Sequence, residues 1–151
     1  MAYTANKLMA SSLRKMADFD PDATTAVVVD LKVGSAKGVA LADYSFQSFL
    51  AGLVRTVGTG AVTLLEIITA DAAAMTGNVT AIKTLAGTTA DAVGDTIWLE
   101  CTGEEVAAAR AATNLYIGLR VTLATGTDEC IAYFEASGGR KQDALTAAYI
   151  S

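Results

Sequence analysis

Carboxylates are the residues of this 151-residue chain whose type and spacing first suggest chemistry. The run Asp18-Phe19-Asp20-Pro21-Asp22 alternates acids, as a calcium loop does to draw several hard oxygen ligands from one turn. It lacks the loop's glycine and distal bidentate glutamate, and Pro21 stiffens its middle, so it reads as a solvated acidic linker. A glycosidase needs only two acids at the right separation. Glu66, Asp95, Glu100, Glu129 and Glu135 are available for that role, but none stands in a motif, and one tryptophan is a poor supply of sugar platforms. The chain has no histidine, which removes the commonest general base, the commonest metal ligand and the usual partner of a Ser or Cys nucleophile. Cys101 and Cys130 cannot by themselves close a zinc site and have no neighbouring base to activate them. They are expected to be reduced strand residues. The glycine pairs Gly58/Gly60 and Gly138/Gly139 sit at strand ends, where turns need positive φ, and lack phosphate-binding form. No catalytic, cofactor or metal site is expected.

Trp98 is the more informative residue. In Thr96–Cys101, Thr96, Trp98 and Glu100 share one side of a strand, while Ile97, Leu99 and Cys101 share the other. The aliphatic side is the core candidate. Trp98 is then either a contact residue, as exposed indoles at interfaces are, or covered by the chain's own loop or helix.

The elements that would position these residues are mostly strands. At 52% hydrophobic and 18% charged, the chain is too apolar for intrinsic disorder, and its length suits one domain. No stretch has the 18 or so uncharged apolar residues of a membrane span, and the first residues lack a secretory apolar core. A product kept inside a cell or particle, without membrane contact, is the expectation. Residues 4–17 place Leu8, Met9, Leu13 and Met16 on one helical face, with Thr4 as N-cap and Pro21 as the stop. After that come Thr25–Val33, Tyr44–Thr56 (with a bulge at Gly52), Ala61–Thr69, Val79–Thr84, Thr96–Cys101, Leu115–Leu123 and Glu129–Ala136. The turns Val57–Gly60 and Ala124–Asp128 read as hairpins. Residues 70–77 suit a single turn, and Gly103–Ala112 reads as a helix begun by Glu104 and Glu105. In Leu115–Leu123 the odd positions form a core face and Tyr116, Gly118, Arg120 and Thr122 a wet one. These features predict an all-β, antiparallel β-sandwich of jelly-roll type, with a short helix in a crossover connection. Its parts are an N-terminal arm (1–22), the sandwich (23–140) and a C-terminal tail (141–151).

Charge is uneven. The net charge is −5, but residues 1–17 hold Lys7, Arg14 and Lys15 and no acid, leaving the rest at −8. An acidic body repels phosphate backbones, so nucleic acid is not an expected partner. Both ends carry bulky apolar groups: Tyr3, Leu8, Met9, Leu13 and Met16 at one, Leu145, Tyr149 and Ile150 at the other. Burying such side chains on a partner contributes roughly 1.5–3 kcal/mol each before ordering costs. With Trp98 they are the interface candidates, and arms laid on neighbouring subunits are the expected arrangement.

The segments SFLAGLVRTVGTGAVTLLEIITA, AVGDTIWLECTGEEVAAA and YIGLRVTLATGTDECIAYFEASGGRKQ resemble small virion structural proteins of tailed bacteriophages, of the capsid decoration or cement kind. The resemblance covers residues 45–145, about two-thirds of the chain. It implies a non-enzymatic protein, made in the host cytoplasm and carried on the capsid surface. It also implies a jelly-roll core, a homo-oligomer that is often a trimer, the major capsid protein as partner, and no cofactor. The alternative is a carbohydrate- or receptor-binding module of a tail fibre, with Trp98 and Tyr116 or Tyr133 as the sugar platform.

Overall fold

Apolar residues at every second position place one side of each long strand in a common interior. The computed structural model describes residues 13–19, 27–28, 37–41, 48–58, 60–87, 92–125 and 127–137. In chain order the strands are β1 (Leu13–Phe19), β2 (Val27–Val28), β3 (Val39–Ala40), β4 (Ser48–Val57), β5 (Val62–Ala70), β6 (Thr80–Ala86), β7 (Thr96–Thr102), β8 (Tyr116–Leu123) and β9 (Glu129–Ser137). The helix α1 (Gly103–Ala109) lies between β7 and β8. The protein is mostly β: two antiparallel sheets packed as a sandwich, with one short helix among the described residues. One sheet has the order β1-β9-β4-β7; the other is built on β8-β5-β6, with the two-residue strands β2 and β3 on the outer edge of β8.

The interior is filled from both sheets. Phe49, Ala51 and Leu53 of β4 and Ala132, Phe134 and Ala136 of β9 meet Leu65 and Ile67 of β5 and Ile117, Leu119 and Val121 of β8, all buried. The Phe49 and Phe134 rings sit 6.2 Å apart, tilted 37°. The odd residues of β8 are therefore core, except Leu115, which precedes the strand and is 49% exposed.

Two connections differ from the expected hairpins. Val57–Gly60 leaves β4 in one sheet and enters β5 in the other, and Ala124–Asp128 crosses back from β8 to β9. Both are arches between sheets, and they stack at one end of the sandwich, where the Ala124 N–H donates to Ala61 O at 2.9 Å. The physical reason is a buried ion pair. Arg55, inside the end of β4, has Nη2 3.1 Å from Asp128 Oδ2, with both side chains buried. Gly58 (φ 92°) and Gly60 lie against that carboxylate so closely that a Cβ at either would overlap it. The bulge in β4 falls at Arg55/Val57, not at Gly52, whose register with both neighbours is regular.

The N-terminal expectation also changes. Leu13–Ala17 form strand, not helix: β1 pairs along β9 from Leu13↔Ala136 to Phe19↔Cys130. Without β1, β9 would be an open edge, and strand pairing overrides a local helical pattern. The rest of that helix, residues 4–12, lies outside the described residues, as do most of Thr25–Val33 and the start of Tyr44–Thr56.

Helix α1 is shorter than Gly103–Ala112, because Arg110 turns extended (φ −66°, ψ 147°). Its start is a capping box: Glu105 N–H donates to Thr102 Oγ1 (3.1 Å) and Thr102 N–H to Glu105 Oε2 (2.7 Å). The other carboxylate oxygen is 2.6 Å from Lys83 Nζ of β6. That hydrogen bond raises the Lys83 pKa and lowers that of Glu105. The bridge thus holds across neutral pH, failing in acid as Glu105 protonates and in alkali as Lys83 loses its proton.

The outer side of β5 and β8 is covered at one end. Met75, in the turn between β5 and β6, takes a left-handed backbone (φ 57°) and lays its thioether over Gly118, against Gly38. Ile68, Ala70, Val79 and Tyr116 complete this second cluster. The face expected to be wet is therefore dry at this end, while Glu66 and Arg120 form a 2.6 Å ion pair farther along.

Asp128→Ala leaves a buried guanidinium without its counter-charge, and denaturant unfolding should register a loss of about 3–5 kcal/mol. Adding Arg55→Met should return most of it. A single-variant loss below about 1 kcal/mol would show that the pair does not hold the corner.

Candidate interaction surface

The outer face of the four-stranded sheet is set by register. One row runs Met16–Tyr133–Gly52–Trp98 across β1, β9, β4 and β7. On one side of it lies Arg14–Glu135–Leu50–Glu100, and on the other Asp18–Ile131–Val54–Thr96. Past the bulge, Val57 pairs with Glu129.

Trp98 stands 51% exposed on this face. Its six-membered ring lies over Gly52 so closely that any Cβ there would overlap it. That missing side chain lets the indole lean across β4 to meet the Tyr133 ring edge-on, with centroids 5.8 Å apart and planes at 78°. The Tyr133 hydroxyl donates to Glu135. Leu50, Val54, Ile131 and Tyr133 are half-buried and Val57 is 43% exposed, so an apolar strip runs the length of the sheet. Glu100 and Glu129 stand toward its two ends. Among the described residues no loop or helix covers Trp98.

The two ends of the sheet differ. At one lies the Arg55–Asp128 corner. At the other, Leu13 of β1 is opposite Ala136, and Ser137 of β9 is opposite Ser48. Residues 1–12 and 138–151 therefore join the sheet at the same end, on adjacent strands.

The interface candidates divide accordingly. Trp98 is on the exposed face. Met16 shares its register row, and Leu13 is opposite Ala136. Tyr3, Leu8, Met9, Leu145, Tyr149 and Ile150 lie outside the described residues. Of the two tyrosines proposed beside Trp98, Tyr133 is there, whereas Tyr116 packs with Met75 on the far sheet.

The candidate acids do not converge. Glu66 is tied to Arg120 on the opposite sheet, Asp95 accepts from the Ala92 N–H at 3.0 Å in a turn, and Glu100 and Glu135 flank Leu50. Asp18 is opposite Ile131 in β1, while Asp20 and Asp22 are outside the described residues. Among the described residues no group of three or more Cys, Asp or Glu is placed to hold a metal ion.

Both cysteines are buried thiols in strands. Cys101 is opposite Phe49 and Cys130 opposite Arg55, six residues along β4. That is about 20 Å, far beyond the roughly 7 Å a disulfide tolerates between Cα atoms. Burial, then Glu105, pushes the Cys101 thiol up to about 11.

Asn114 is a buried residue that composition and motif did not single out. Its Nδ2 lies within 3.2 Å of Thr69 O, Thr69 Oγ1 and Thr80 Oγ1, tying the β5–β6 hairpin to the connection after α1. An Asn just before an alternating strand is the available signal, and it does not separate a surface turn from this clamp.

Gly52→Ala should push the indole off β4 and shift the emission of this single-tryptophan chain to the red. Unchanged emission would mean that Trp98 does not rest on Gly52. In folded protein at pH 8, Cys101 should resist alkylation, since a pKa near 11 leaves roughly one thiolate in a thousand. Alkylation as fast as in denatured protein would contradict its burial.

No family model matches this chain, and no curated protein matches it either.

Proposed function

We propose that this chain is a non-enzymatic virion structural protein of a tailed bacteriophage: a capsid decoration or cement protein acting as a homo-oligomer, with a trimer favoured, on the major capsid protein. The observation that carries the reading is the apolar strip around half-exposed Trp98, on a rigid sheet whose two chain extensions depart from one end. Such a body joins surfaces. The resemblance of residues 45–145 to virion structural proteins points the same way.

The fold belongs to this proposal as a jelly roll. The orders β1-β9-β4-β7 and β2-β8-β5-β6 support it, with arches carrying the chain between sheets as two Greek keys do. On this reading the mechanism is linkage. A protein that binds only the assembled shell stabilises it by mass action, and several sites on one oligomer raise the avidity without stronger single contacts.

The tail-fibre alternative has the Trp98–Tyr133 pair in its favour. Edge-on rings, however, do not make the flat platform on which a sugar stacks.

Purified chain should co-sediment saturably with expanded shells of its phage assembled without it, and should raise their dissociation temperature. Trp98→Ala should weaken binding at least tenfold while the chain's own unfolding is nearly unchanged. Failure to bind such shells, together with glycan binding lost in Trp98→Ala, would overturn the cement reading in favour of the tail-fibre one.

A further inference from the structure

The apolar strip needs an occupant whose chemistry matches its borders. We propose that residues 138–151 of a neighbouring copy lie across the outer face of the four-stranded sheet, with Tyr149 and Ile150 on Trp98 and the adjacent pair Arg140 and Lys141 against the glutamate at one end of the strip. The inference deepens the homo-oligomer reading and rests on it.

Three observations carry it. The first is charge. Glu100 and Glu129 stand toward the two ends of the strip. Two copies pressed face to face would bring like charges together, whereas the adjacent cations Arg140 and Lys141 complement the glutamate at either end. The second is pattern: after the basic pair, Leu145, Tyr149 and Ile150 are spaced along an otherwise small-residue stretch, suiting a shallow strip with one aromatic anchor point. The third is reach. The segment leaves the sheet at Ser137, on the end where Glu100 and Glu135 lie. Fourteen residues extend to about 45 Å, and the strip from the Glu100 row to the Glu129 row is about 20 Å long, so a departing segment can span the gap to an adjacent subunit and still cover its strip.

Two measurements on the full chain test this. In an equal mixture of unlabelled and nitrogen-15-labelled chains, unfolded and refolded together so that oligomers form from both, a carbodiimide should couple Lys141 to Glu100 or Glu129, with about half the products joining chains of different isotope. Tyr149→Asp/Ile150→Asp should lower the solution mass to a smaller species and move Trp98 emission to the red. Products joining only chains of one isotope, absence of those products, or unchanged mass and emission in the double variant would each overturn the inference. Shell binding is scored separately. A chain that binds shells but gives only same-isotope products refutes the exchanged segment alone. Mixed-isotope products without shell binding refute the capsid assignment alone.

Discussion

A single charged pair in a dry place organises one end of this molecule. Arg55 points inward from a strand whose other inward residues are Phe49, Ala51 and Leu53, and among the described residues Asp128 alone brings it a negative charge. A buried guanidinium is tolerable only if its partner stays in place. Asp128 stays in place because Gly58 and Gly60 leave room for its carboxylate. The constraint runs through two distant parts of the sequence, so the β4–β5 and β8–β9 connections must stack on each other. Once they stack, β4 and β9 lie side by side in one sheet and β5 and β8 side by side in the other. The sandwich is the geometric result.

Among the described residues the opposite end has no such buried ion pair. There the sheet margin is set by β1 running along β9, and both chain extensions start from it. Between the two ends lies a face on which a missing side chain does as much as a present one. Gly52 gives the indole a seat, and Tyr133 braces it edge-on, so a large apolar group is displayed in a defined orientation at little entropic cost. A rigid display of this kind favours association more than a flexible loop would, because little ordering remains to oppose it.

Much of this was legible from alternation. The inward set on β8, the outward placement of Trp98 and the acid-led helix follow from period two and from capping chemistry, because those signals are local. The arches did not follow. A glycine-rich turn between two alternating strands reads as a hairpin, and the feature that makes it an arch is an arginine-aspartate contact across more than seventy positions. The helical spacing of Leu13 and Met16 misled for a related reason: the open edge of β9 is a long-range fact that outweighs a short-range pattern. Asn114 and Met75 were hidden likewise, since their roles depend on which strands come to lie beneath them. The separation of Cys101 from Cys130 needed the β4 register, which neither residue's neighbours encode.

Met75 carries a liability of its own. It holds a left-handed backbone and a slot between two glycines that admits a slim sulfur and little else. Conversion to the sulfoxide would force a bulky, polar S=O group into that slot, where the lining from Ile68, Ala70 and Tyr116 offers mostly hydrocarbon. At 2% exposure Met75 is shielded from oxidants while the fold holds, so the damage would follow a local opening, and it would strip this lid from the second sheet while leaving the distant indole face chemically intact.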